Sequence, residues 1–218
     1  MTIELIPVLE IGYSNQEGVN VPDKYPYWEN APLWSAYRKE CLKKAGFTDQ
    51  LTPYLEGAPF YLLADIPDVD LTRLVVDHTQ GFGKGEYERE QSSPFFGGYI
   101  LRVNGQDKYF PQCCGDLSDI QYWKRLSLGN NSSCEGHPSP GVHIENDKIS
   151  LDFTVDEFDE RFEPIPPETI LTIERVPLGK AVENAEKQLV ILEQRLRYIN
   201  TKENLHIDRI EDLLIWYR

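Results

Sequence analysis

Along this chain the apolar positions switch repeatedly between a two-residue and a three-to-four-residue period, and each switch predicts an element. Residues 2–11 alternate as a strand, with Ile3, Leu5, Val8, Leu9 and Ile11 as buried candidates around Pro7. Residues 12–32 mix aromatic, polar and proline positions without a period, which predicts an ordered surface loop. A helix follows, capped by Asn30, with Pro32 in its first turn, Gly46 as its stop, and Leu33, Trp34, Tyr37, Cys41, Leu42 and Ala45 inward. Next come a short helix over 50–56, a buried strand over 60–66, and a helix opening at Asp68 or Asp70 that carries Leu71, Leu74, Val75 and His78.

The sharpest local signal is Asn104-Gly105 between two aromatic and branched runs. Both central positions of a type I′ turn need positive φ, which Asn and Gly accept. A tight turn there sets Arg102 opposite Asp107 and Ile100 opposite Tyr109 on one face, with Tyr99 facing Phe110 and Leu101 facing Lys108 on the other. Pro111 ends the second strand. Leu117, Ile120, Trp123 and Leu126 then carry a helical period over 117–127, with Asp116 as the N-cap.

Residues 142–145 and 148–154 predict a second hairpin around Asn146-Asp147, and 155–163 a helix with Val155, Phe158 and Phe162 inward. Residues 169–176 alternate as a strand. A long helix over 178–200 bears a heptad stripe of Val182, Ala185, Leu189, Leu192, Leu196 and Ile199, widened by Val190 and Ile191. That stripe suits either a homodimer seam or cover for the chain's own sheet, and strands at Ile100 and Ile170 that need a covering layer favour the second. A short helix over 208–217 closes the chain. The expected fold is α+β: a single domain spanning 1–218, an antiparallel or mixed sheet of about five to six strands with helices packed on it, and a long C-terminal helix.

Charge narrows the partners. The 218 residues carry a formal net charge of −14, which disfavours nucleic acid and anionic membrane surfaces. Residues 145–174 hold ten carboxylates against Lys148 and Arg161, a net of −8. Asp156, Glu157, Asp159, Glu160 and Glu163 are therefore the candidate surface for a basic partner protein, since a concentrated field steers and speeds encounter. Bacterial immunity and antitoxin proteins that neutralise basic toxins share this acidic, motif-poor profile, an analogy that rests on charge. No run reaches the length of a membrane helix, and the N-terminus lacks a signal-peptide pattern, so a cytoplasmic location is expected.

Chemistry-bearing residues are sparse. Of four cysteines, Cys41 falls on a core face, while Cys113 and Cys114 sit in a strand-to-helix turn. Cys113, Cys114, Cys134 and His137 form a candidate zinc set, because thiolate and imidazole suit that ion. The paired C-x-x-C knuckles usual at zinc sites are missing, and adjacent cysteines seldom point at one ion, so the favoured expectation is no cofactor. A hydrolase whose site uses His137, His143 and nearby carboxylates is a third reading, without a recognisable catalytic motif to support it. The loop GFGKGE at 81–86 lacks the ending of a phosphate loop.

Overall fold

Strand β1 (Ile3–Glu10) is one of the two inner strands of the main sheet, bonded on both sides. A computed structural model of the protein describes residues 1–132, 136–154 and 160–217. In it β1 runs antiparallel to β2 (Phe60–Leu62) and to β3 (Gly97–Val103), with β4 (Gln106–Tyr109) outside β3, a sheet of order β2-β1-β3-β4. A second antiparallel sheet has the order β5-β6-β7, from β5 (Gly141–Glu145), β6 (Lys148–Asp152) and β7 (Ile170–Glu174). The α+β class and the long C-terminal helix are as the sequence predicts, and the strands divide into these two sheets.

Both faces of the first sheet are covered. On one, Leu5, Leu9, Tyr99, Leu101 and Val103 join the main core beneath α2 (Asp68–Gly83), α3 (Ile120–Ser127) and α4 (Arg175–Lys202). On the other, Val8, Ile100, Phe60 and Phe110 meet Tyr27, with Trp28 and Trp34 against them, so the proline-punctuated loop and α1 (Ala31–Lys44) form a second, aromatic layer. The heptad positions Val182, Ala185, Leu189, Leu192, Leu196 and Ile199 are all buried, and α4 lies across β1. Val190 and Ile191 stay exposed. Thus the stripe covers the chain's own sheet, each buried leucine stabilising the fold by roughly 1.5–3 kcal/mol.

The Asn104-Gly105 turn forms with both φ values positive, at 51° and 79°. Arg102 faces Asp107 as expected, but the register shifts between Leu101 and Arg102, and Leu101 pairs with Tyr109 instead of Lys108. This β-bulge exchanges the faces. Tyr109 turns into the main core beside Trp123, Phe153 and Phe162, while Lys108 reaches the Glu168 carboxylate. Aromatic burial outweighs the unbulged ladder.

Three other segments depart from expectation. Residues 50–56 are turns without a helix: Pro53 lacks an amide donor, Tyr54 gives its own amide to Phe60 O at 2.7 Å, and its hydroxyl binds Asp107 at 2.9 Å. The strand after Pro59 stops at Leu62, where its pairing with Val8 ends, and becomes a 3-10 turn over Leu63–Asp65. Of the helix expected over 155–163, residues 155–159 lie outside the described residues, and 160–163 are not helical. There the Glu163 amide is committed to Gln112 Oε1 at 2.8 Å. No helix among the described residues is long and apolar enough to cross a membrane.

Candidate functional site

Three segments distant in sequence meet at one cleft because each is tied to the turn Gln112–Gly115. Gly115 N–H donates to Gln112 O at 3.0 Å and closes the turn around Cys113 and Cys114. Cys114 sits at φ 66°, a conformation that costs a residue with a Cβ about 1–2 kcal/mol. Gly97 N–H donates to Gly115 O at 2.9 Å and Leu117 N–H to Phe95 O at 3.1 Å, which docks the start of β3 on the turn. Gly97 itself has φ 133°, and a Cβ there would run into the Val8 carbonyl oxygen, so the close approach of the two strands needs glycine. On the far side, His137 N–H donates to Cys113 O at 2.9 Å.

The third tie is a side chain. Gln112, only 6% exposed, accepts from the Glu163 amide at 2.8 Å and donates to Glu163 O at 3.3 Å and Phe110 O at 2.8 Å. Phe162 plugs the core at 5.2 Å from the Phe153 ring centre. Together they hold the end of the acidic segment against the turn, with Glu160 exposed and Glu163 half-buried. Asp116 completes the helix start beyond the cysteines: its carboxylate accepts from Ser118 N–H at 2.7 Å, in a capping box with Asp119.

The cleft so formed has a volume of about 870 Å³. Glu10, Glu160 and Glu163 supply its carboxylates, Tyr25, Tyr27 and Phe96 its rings, and Cys113, Cys114 and His137 also line it. Tyr25 and Phe96 are 50% and 46% exposed, so large apolar surface stands open beside the acids. Two arginines also line it, and both are engaged internally. Arg38 donates to Gly57 O at 2.9 Å and stacks 5.6 Å from the Trp34 ring centre and 5.9 Å from that of Tyr27. Arg161 lies 3.5 Å from the Glu163 carboxylate.

Titration behaviour follows from this crowding. The walls around Glu10 displace hydration from its carboxyl, although the cleft mouth leaves it solvent access, and its pKa rises above the usual carboxylate value despite nearby Arg38. Burial first, and then the hydrogen bond its hydroxyl donates to Glu163, push the Tyr25 phenol up to about 12. Cys113 and Cys114 are both free and exposed, with their sulfurs 3.6 Å apart. Their shared hydrogen bond is the main reason the Cys113 thiol is pushed upward, with partial burial and the charges of Cys114 and Glu10 adding to it.

The structure thus brings together Cys113, Cys114, His137, Glu160 and Glu163 of the residues singled out from sequence. Cys134 of the zinc set and Asp156, Glu157 and Asp159 of the acidic surface lie outside the described residues. Among the described residues, no three or more His, Cys, Asp or Glu side chains are placed to hold a metal ion. His143 pairs with Ser150 in the second sheet and does not line the cleft, so the two histidines of the hydrolase reading do not meet there. Gln112, Glu10 and the Tyr25–Tyr27 wall escaped sequence reasoning, since their roles come from long-range contacts that no local period reports. No family model matches the chain, and no curated protein or solved structure was found to be similar to it.

Proposed function

We propose that this protein is a binding module that captures a basic segment of a partner protein in the cleft between Glu10, Tyr25 and Glu163. The observation that carries the reading is the convergence of Glu160 and Glu163, from the most acidic stretch of the sequence, with Glu10 and exposed aromatic rings at one concave surface. Carboxylates pair with an arginine or lysine head group. Tyrosine and phenylalanine faces attract the same cation through their quadrupoles and pack its aliphatic stem. Aromatic residues beside a polar rim are also the composition of interface hot spots. The neighbouring carboxylates of residues 145–174 extend the field that draws such a partner in. Neutralisation of a basic toxin, the role of immunity proteins, is one use to which such a surface fits.

An arginine-rich peptide titrated calorimetrically against two triple variants tests this. Glu10→Gln/Glu160→Gln/Glu163→Gln should weaken binding about tenfold or more, roughly 1.4 kcal/mol, as three partly exposed pairs at about 0.2–1 kcal/mol each would give. The control Glu56→Gln/Glu183→Gln/Glu203→Gln removes the same charge outside the cleft and should change affinity little. Equal weakening by both variants would reduce the cleft to a share of a diffuse field and overturn the proposal.

A further inference from the structure

Two exposed thiols in van der Waals contact, held on a strained turn that lines a cleft, have chemistry that partner binding does not use. We infer that Cys113 and Cys114 form a dithiol couple that a hydroperoxide oxidises to a disulfide between the adjacent residues. Three observations support it. The sulfurs already stand 3.6 Å apart, so a bond of about 2.05 Å needs only a local movement. Both side chains are exposed, in contrast to the buried Cys41, and the cleft of about 870 Å³ admits a small oxidant. Cys114 occupies a left-handed conformation, φ 66°, that glycine or asparagine would take at lower cost. Strain at a chemically reactive residue, fixed by hydrogen bonds on both sides of the turn, points to use of that residue.

The steps balance. The Cys114 sulfur, as thiolate, attacks one peroxide oxygen; the O–O bond breaks, an alcohol or water leaves with a proton, and Cys114 becomes a sulfenic acid. Cys113, which keeps its proton to higher pH than an ordinary thiol, then gives up that proton as its sulfur attacks the sulfur of Cys114. The S–O bond breaks, water leaves, and the S–S bond forms. Two electrons have passed from the pair to the peroxide. Adjacent Cα atoms lie about 3.8 Å apart, below the usual 4.4–6.8 Å span of a disulfide, so the oxidised bond is strained and readily reduced again, as labile disulfides are.

The test is peptide mapping of reduced wild-type protein after a slight molar excess of hydrogen peroxide, with thiols alkylated under denaturing conditions. The expected result is loss of two hydrogens from the peptide carrying Cys113 and Cys114, complete loss of its alkylation, recovery of both with dithiothreitol, and full alkylation of Cys41. Cys113→Ser should leave a sulfenic acid at Cys114 that dimedone captures, while its melting curve reports whether the variant is folded. Both thiols still alkylated, a bond from either to Cys134, or oxidation of the pair to sulfinic acid without a disulfide would each overturn the inference. The wild-type result decides the matter even if the variant does not fold.

Discussion

Glu10 shows how a single carboxyl can make stability depend on pH. Burial raises its pKa above the ordinary 4.5, so the folded protein favours the protonated carboxyl and pays for ionisation. Below about pH 4.5 the group is protonated in both folded and unfolded chains and contributes nothing. As pH climbs through the raised folded value, the native state alone is penalised, and stability falls. Glu10→Gln should therefore be more stable than wild type at pH 7, with the gain vanishing below about pH 4.5 in denaturant titrations at each pH. A gain that persists at low pH would assign the effect to packing and not to charge. Nothing in the sequence marks Glu10 out from the other acids, because its environment is built by Arg38, Pro59 and Phe96 from three separate segments.

Among the elements, α4 was the most legible and the cleft-lining loops the least. A 28-residue helix repeats its period often enough to declare which face is inward. Its buried and exposed apolar positions make opposite predictions. Leu189→Ala should cost about 2–5 kcal/mol by urea unfolding, because the side chain is wholly buried. Ile191→Lys should shift stability by no more than about 0.5 kcal/mol, since Ile191 is 59% exposed. A large loss at Ile191 would instead place a second surface on that face. The hairpins were legible through their turn residues, down to the pairing of Arg102 with Asp107. The bulge one residue on was not, because it is chosen by where Tyr109 can be buried, and that depends on Trp123, Phe153 and Phe162. Residues 50–56 depart from their helical pattern for a similar reason: Tyr54 bonds to Phe60 and Asp107, partners that a local pattern cannot reveal.

At the scale of the whole molecule, a net charge of −14 acts together with a shaped site. If the cleft concentrates that field, affinity for an arginine-rich peptide should fall steeply as salt rises from about 0.1 to 1 M, where the screening length shrinks from roughly 10 to 3 Å. A residual, salt-insensitive part should remain from the rings of Tyr25 and Phe96, and it should disappear in Tyr25→Ala/Phe96→Ala. Binding abolished by salt in wild type as fully as in that variant would leave the aromatic wall without a role. The charge imbalance was plain in the sequence; that part of it borders a concavity was not, because the bond between Gln112 and Glu163 spans 51 positions. That arrangement has a consequence for how the protein can change. The start of β3, His137 and the end of the acidic segment are all bonded to residues 112–115. Because Gly115 holds the first residue of a core strand and Gln112 holds the acidic segment, the cleft wall and the first sheet are mechanically one piece. A substitution at either position shifts the opening only by disturbing what it ties down, so the turn fixes the width of the cleft.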